Sequence, residues 1–499
     1  MAPKTSRGRA TKAAAQPSRV ATQGKRKAAV EDEPTTRDTR PRLASKHELG
    51  PVAHASHGKV PGQLFVFGDG DCGQLGLGED VTERLRPFPL DVDGNKILQV
   101  ACGGMHTAAL TEHHVVYSWG VNDEGALGRE TAGELWEKSG LSSGVASDSY
   151  SPGPVDLPAS AGKVVQLSAG DSHTAALTEL GSVWAWGTFR DASGVFGFSA
   201  GTRIQLTPAE VYSPRRAEDQ VVRIVSGADH IAAVTRHGGL LTWGNGQQGQ
   251  LARVGERLSD RVRAATLLTP APVPLKRRRT GRAAVVDVAA GTYATFALLA
   301  DGGVLAAGLN NYGQLGLENG ALPAYALTHV AALDGRSVRG VRGGQHHTLV
   351  LVEPGAGRGG SADDGEGSEG AGPSGAPLLS FGRPTYGRLG QAAAAVGSDA
   401  AAPVPREVDG LEGVALAGAA AGLAVSGAFS EAGDAWLWGF GTSNQLGKGD
   451  DDEDEVVPRK LAATKKLADQ RVIALEFGGQ HAALLCVPRP AQTQAGSQQ

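Results

Sequence analysis

A short apolar run ending in an aromatic residue and a glycine returns along the whole chain, and this repetition limits the fold more than any single motif does. The dipeptides are Phe67-Gly68, Trp119-Gly120, Trp186-Gly187, Trp243-Gly244, Ala307-Gly308, Phe381-Gly382 and Trp438-Gly439, with alanine replacing the aromatic residue once. Their glycines are spaced by 52, 67, 57, 64, 74 and 57 residues, a period that suits one supersecondary unit per repeat. The first copy reads Leu-Phe-Val-Phe-Gly-Asp-Gly-Asp-Cys-Gly-Gln-Leu-Gly over residues 64–76. A polar, glycine-rich loop, often ending in Gln-Leu-Gly, therefore follows the apolar run.

Two further patterns cycle with it. One is a proline-led strand, at 87–90, 152–155, 208–211, 270–273, 403–408 and 458–461. Proline fits the start of a strand or a sheet edge, where no ladder hydrogen bond needs its missing N–H. The other is a strand, a tight glycine turn and a second strand, at 100–110, 164–177, 225–234, 288–299, 341–351, 416–425 and 476–485. Short runs of this kind between turn signals predict an all-β chain with four strands per unit.

The order of the patterns predicts the architecture. Residues 64–78 have no hairpin before them, and the hairpin at 476–485 has no aromatic-Gly strand after it. The two half-units complete one another if the chain ends meet. The expected fold is a seven-bladed β-propeller of four-stranded blades over residues 62–489, closed by pairing the N-terminal strand with the C-terminal hairpin.

Residues 1–61 contain no aromatic residue and are rich in Ala, Pro, Ser and Thr, which predicts a disordered tail. Residues 355–377, made largely of Gly, Ser, Asp and Glu, and residues 490–499 are expected to be disordered as well. Within a chain of net charge −4, residues 1–30 hold eight Lys/Arg and no acid. Lys4, Lys25, Arg26 and Lys27 belong to this patch, whose charge suits nucleic acid or a nuclear-import receptor. The three cysteines form no paired framework, which favours a reducing compartment and argues against a zinc site. No apolar run is long enough to span a bilayer. Neither a cofactor nor a metal is expected.

Gly68-x-Gly70-x-x-Gly73 and Gly244-x-Gly246-x-x-Gly249 match a dinucleotide-binding fingerprint in letters only. That fingerprint must open a helix in a βαβ unit, whereas these glycines recur between strands and read as turn glycines. No nucleophile elbow and no phosphate-binding GxxxxGK[ST] loop occurs. His106, His173, His230, His347 and His481 fall in one column of the aligned hairpins. A residue repeated in most units is expected to hold the repeat together. The two positions before the column vary, and there Asp171, Asp229 and His346 break the repeat on one face of the ring. Residues 189–196, Phe-Arg-Asp-Ala-Ser-Gly-Val-Phe, replace the usual loop and read as a projecting turn with 191–194 at its tip.

The Gly-Gln-Leu-Gly and Gly-Gly-x-His-Thr units resemble the regulator of chromosome condensation repeats over about residues 62–489. Asn122-Asp123-Glu124-Gly125, Trp186-Gly187-x-Phe189-Arg190-Asp191, Gly343-Gly344-Gln345-His346-His347-Thr348 and Tyr386-Gly387-Arg388-Leu389-Gly390 extend the likeness to the chromatin-bound exchange factors of that family. The resemblance implies a guanine nucleotide exchange factor for the small nuclear GTPase Ran, which performs no covalent chemistry. It implies a β-wedge at Phe189, Arg190, Asp191, Ala192, Ser193, Gly194 and Val195, aimed at the GTPase phosphate loop. Asp229 matches the key exchange residue, and Asp71, Asp171, Arg253, His346 and His481 match other residues of the GTPase-binding face. Gly313 stands where a family histidine would be, and Ala200 near where a glutamate would be. The resemblance assigns the opposite face and the tail to the nucleosome. Arg257, Arg261 and Arg263 would meet the histone acidic patch, and Lys276, Arg277, Arg278, Arg279 and the tail would meet DNA phosphates. A nuclear, chromatin-associated protein follows. The competing reading is a non-catalytic scaffold or sensor propeller. The plant UV-B photoreceptor, which shares the repeat, depends on Gly-Trp-Arg-His-Thr motifs, and none occurs here.

Overall fold

The computed structural model describes residues 60–490 except 142–147, 260, 276, 279–280, 283, 318–319, 321, 354–377, 396–399 and 450. The tail expected over 1–61 falls outside the described residues as far as residue 59. So do the 355–377 segment, Lys276, Arg279 and the residues from 491 onward.

Seven four-stranded antiparallel sheets surround a central channel. Blade 1 runs outward from the channel as Ile97–Cys102, His106–Thr111, Val116–Gly120 and Gly153–Val155. Blades 2 to 6 repeat this order over residues 164–212, 221–272, 285–329, 338–407 and 416–460. Blade 7 takes Gln470–Phe477 and His481–Pro488 from the C-terminal side and Gln63–Asp69 and Glu83–Leu90 from the N-terminal side. Gln63 pairs with Cys486 and Gly68 with His481, so the two half-units close the ring as the repeat order requires.

The burial pattern follows from this geometry. Each blade is packed between two others, so a middle strand such as His106–Thr111 is buried on both faces. Outer strands such as Gln205–Tyr212 are half exposed. Several start earlier than the proline pattern suggests, as where Pro87 and Pro89 lie inside Glu83–Leu90, while Gly153–Val155 and Ala271–Pro272 start one residue later. A free edge tolerates a missing donor there. Ala324–His329 is a further outer strand, just after Pro323, that the proline pattern does not include.

Three repeated motifs meet at one polar joint between blades. The Gln74 carbonyl, in the loop after the first aromatic-Gly strand, accepts from the Thr107 hydroxyl (3.0 Å) and the Trp119 indole (3.0 Å) of the next blade. Ala126 does the same for Thr174 (2.9 Å) and Trp186 (2.8 Å), and Arg388 for Ser426 (2.8 Å) and Trp438 (3.0 Å). Because the hydroxyl gives its proton to the carbonyl, the histidine of the column is left to donate to the hydroxyl oxygen. His106 reaches Thr174, His230 reaches Thr295, His347 reaches Ser426 and His481 reaches Thr107, all at 2.8–2.9 Å. Burial pushes these imidazoles far down, His106 to about 4 and His230 and His481 to about 3, so they remain neutral donors. The glycine three residues before each histidine leaves room for the ring. A Cβ on Gly103, Gly227, Gly344 or Gly478 would lie 2.1–2.2 Å from the imidazole Cε1.

Removing residues 478–499 would leave Gln63–Asp69 without its partner strand. The expected outcome is loss of the cooperative melt of the whole ring, measured by circular dichroism. A truncated chain melting like the full one would disprove closure.

Candidate functional site

Strand pairing decides what shares a face. Gly120 pairs with His106, Gly187 with His173, Gly244 with His230 and Gly382 with His347. The hairpin turns before the histidines and the loops after the glycines therefore open at the same end of the ring. Asp171, Asp229 and His346 arrive there from hairpin turns. Asp71, Glu124, the 189–197 segment and Tyr312 arrive from loops.

The projecting turn is a separate two-stranded ribbon, Phe189–Asp191 with Gly194–Gly197. Phe189, expected as part of the wedge surface, is instead its buried root. It packs against His173 (4.8 Å between ring centroids) and stacks on Phe198 (6.4 Å). Neither His173 ring nitrogen has a hydrogen-bond partner, and Ile231 stands where other blades carry the receiving hydroxyl. The tip is an Asx turn in which the Ser193 N–H donates to Asp191 Oδ1 (2.7 Å), and Gly194 takes φ +100°.

Asp229 fixes the base of this hairpin. The Arg190 N–H donates to Asp229 Oδ1 (2.6 Å), and Asn245 Nδ2 donates to the Arg190 carbonyl (2.8 Å). The Arg190 guanidinium pairs with Glu124 (3.1 Å). Glu124 and Asn245 thus belong to the site, although the sequence reading assigned them no role. Burial raises the Asp229 carboxyl to about 7. The nearby Asp171 adds to the rise, and the Arg190 N–H and charge oppose it. Asp171 keeps solvent access at the channel mouth, yet the protein around it also raises its pKa by desolvation. Arg190 opposes that shift and Glu124 reinforces it. Glu124, Asp171 and Asp229 thus gather around the Arg190 cation.

The face changes character beyond Asp229. The Tyr293 phenol is raised by burial and then by Asp171 and Asp229. Its ring lies 6.3 Å from His346, which meets the edge of Tyr312 at 5.1 Å. Arg383 stands over Tyr312 at 4.6 Å, and Tyr386 meets Phe440 at 5.0 Å. Tyr293 occupies the same variable column as Asp229 and His346. It escapes a search anchored on the column histidine because Ala294 replaces that marker.

Several expected site residues stand elsewhere. His481 is wholly buried in the Thr107 joint and offers nothing to the face, which corrects its assignment as a contact. Arg253 is part-buried and committed to the carbonyls of Thr242, Thr266, Leu267 and Thr269 at 3.0–3.1 Å. It braces its own insertion rather than facing a partner. Asp71 is exposed at the loop, where its N–H donates to Asp69 Oδ1. The arginine insertion emerges at the Asp229 end of the ring, not the opposite end as expected, and Arg261 ion-pairs with Asp191 of the hairpin. Arg277–Arg278 forms a small ribbon with Gly281–Arg282 in the connection to the next blade, at the other end. Gly313 cannot be the histidine that the resemblance suggests. It sits at φ +74°, and a Cβ there would lie 2.5 Å from Pro403. Ala200 is exposed.

A rigid ring whose joints are conserved between repeats, with one face made irregular by carboxylates, aromatics and a hairpin, defines a protein-recognition propeller. The RCC1-like domain model matches residues 63–484, and the chain belongs to that family. It is 39% identical to the regulator of chromosome condensation of Xenopus laevis, over 92% of this chain and 97% of the relative. It is 34% identical to the guanine nucleotide exchange factor SRM1 of Saccharomyces cerevisiae, over 84% and 86%. The crystal structure of yeast RCC1 (Prp20) bound to Kap60 superposes with a TM-score of 0.73 at 30% identity, covering 93% of this chain and 97% of that one.

Asp229 has a stability signature of its own. An unfolded aspartate titrates near about 4, so between that value and about 7 the folded state binds the extra proton. Its contribution is fully present below the unfolded pKa and is lost as pH rises through the folded one. Asp229→Asn is expected to melt about 4 °C above wild type at pH 8 and level with it near pH 4, by calorimetry.

Proposed function

We propose that the protein is a guanine nucleotide exchange factor for a Ran-type GTPase and acts on chromatin. The observation that carries this reading is the Asp229 carboxylate, which anchors a projecting hairpin by its base within an acidic neighbourhood. The relatives support it by name: one is a guanine nucleotide exchange factor, and the Prp20p crystal structure is described with its binding properties to Gsp1p and histones.

The mechanism needs no bond making. A factor that binds the nucleotide-free GTPase more tightly than the loaded one weakens nucleotide binding by the same ratio. The hairpin supplies displacement at the phosphate loop. Asp229, Asp171 and Asp71 supply charge for basic groups of the GTPase, and His346 with Tyr293 and Tyr312 supplies the apolar part of the contact. Re-entry of nucleotide then expels the factor. Arg257 and Arg263, the 276–279 cluster and the basic residues of the tail are the proposed contacts to nucleosomal carboxylates and DNA phosphates. Lys25, Arg26 and Lys27 are the proposed patch for a nuclear-import receptor.

Purified GTPase loaded with fluorescent GDP tests the reading. Asp229→Asn should lower kcat/KM for nucleotide release about ten-fold or more, as loss of a desolvated charge contact does. The wild-type rate should rise with pH through about 7 as Asp229 ionises, and the variant's profile should be flat. A variant as fast as wild type would remove Asp229 from the site. Deletion of residues 1–30 should move the protein to lower salt in chromatin extraction, because each lost phosphate contact reduces the salt dependence.

A further inference from the structure

The projecting hairpin and the arginine insertion come from different blades, yet they are built as one unit. Leu251, Val254 and Leu267 form a small buried cluster, and Phe196 from the second strand of the hairpin packs against it. Arg253 ties the two ends of the insertion together by its carbonyl contacts. At its apex the Arg261 guanidinium grips both oxygens of Asp191 and donates to the Gly194 carbonyl (3.2 Å). It also stands 5.9 Å over the Phe196 ring. The Asp191 side chain is fully covered, while Arg261 remains 43% exposed. Burial would raise the Asp191 pKa, but hydrogen bonds from Arg261 and the Ser193 N–H outweigh it and hold the carboxyl ionised.

Among the described residues, the rest of the loop has no such engagement. Arg257 and Arg263 are exposed and have no ion pair among the described residues, and Val262 between them is 92% exposed. Two free guanidiniums thus flank one that is already occupied by a carboxylate. Guanidinium forks bind carboxylates bidentately, and a fork filled by Asp191 is not available to a second carboxylate in the same geometry.

We infer that Arg261 is a positioning residue that holds the hairpin tip through Asp191, and that a carboxylate-rich protein surface seated on Arg257 and Arg263 competes for it. Arg261 acts through Asp191 and the Gly194 carbonyl of the hairpin. It sets how stiff the displacing hairpin is before the GTPase arrives, and a stiff hairpin binds at a lower ordering cost. Occupying the arginine loop therefore changes the hairpin across the blade boundary. This rests on the exchange reading for its consequence, but not for the clasp itself.

Hydrogen–deuterium exchange of the free, full-length protein tests the clasp without any GTPase. Arg261→Gln and Asp191→Asn should each raise uptake over residues 189–197 about five-fold, as loss of a part-exposed ion pair does. The double variant should add nothing, and Arg261→Lys should lie between. Uptake over 100–110 should not change. Unchanged uptake in the hairpin, or a rise throughout the ring, would overturn the positioning role. Poly-L-glutamate should raise hairpin uptake in wild type and leave Arg261→Gln unaltered. Absence of that rise in wild type would overturn the competition. In GDP release, Arg261→Gln should lose kcat/KM by a similar factor without a change in melting temperature. A wild-type protein that releases no GDP would refute the exchange reading and leave the uptake result standing.

Discussion

The ring depends on a backbone carbonyl that accepts from a hydroxyl at five of its joints. At three of these joints the loop after the aromatic-Gly strand turns the second carbonyl of its Gly-x-Leu-Gly motif, at Gln74, Ala126 and Arg388, toward the next blade. There a hydroxyl and an indole donate to it together. These groups are buried, and a buried carbonyl without a partner would be strongly destabilising. The Gln-Leu-Gly, His-Thr and Trp-Gly motifs therefore recur as a set, because each supplies one part of the same joint. The last glycine of the loop belongs to it too, since a Cβ on Gly76 would lie 2.8 Å from the Trp119 ring. The joint also explains closure. His481, on the strand that pairs with Gln63–Asp69, donates to Thr107 of blade 1, so the closed blade joins its neighbour by the same chemistry as other joints.

A scaffold held this way leaves its turns free to differ. At the Asp229 end, Glu124, Asp171 and Asp229 come from blades 1 to 3, and Tyr293, Tyr312, His346 and Arg383 come from blades 4 and 5. The boundary is physical as well as chemical. Tyr293 feels the charges of Asp171 and Asp229 on one side and stacks toward His346 on the other. The hairpin rises from the acidic part, rooted by Phe189 on His173 where the interblade hydroxyl is missing. One blade has thus given up a joint contact where it gains a projecting element.

Periodicity carried much of this in readable form. Seven glycine-ended apolar runs, six of them aromatic-Gly, and seven hairpins, out of phase, imply a closed ring, and Asp171, Asp229 and His346 stand out because they depart from a column. Residues without a column marker were not legible. Tyr293 sits in the turn of a hairpin that lacks its histidine, and Glu124, Asn245 and Arg383 lie in the repeated loops at positions the repeat leaves variable. His481 was misjudged for the opposite reason. It matched both the column and a family contact, and only its burial separates the two roles.

The sequence by itself determined the number of blades, the closure and the joint chemistry, because these follow from residue types repeated at fixed offsets. Tertiary structure decided how irregular segments from different blades meet. No spacing rule connects Asp191 to Arg261, or Asp229 to the Arg190 N–H, across tens of residues and a blade boundary. Those contacts depend on loop paths set by packing, and packing is a property of the assembled ring rather than of any one repeat.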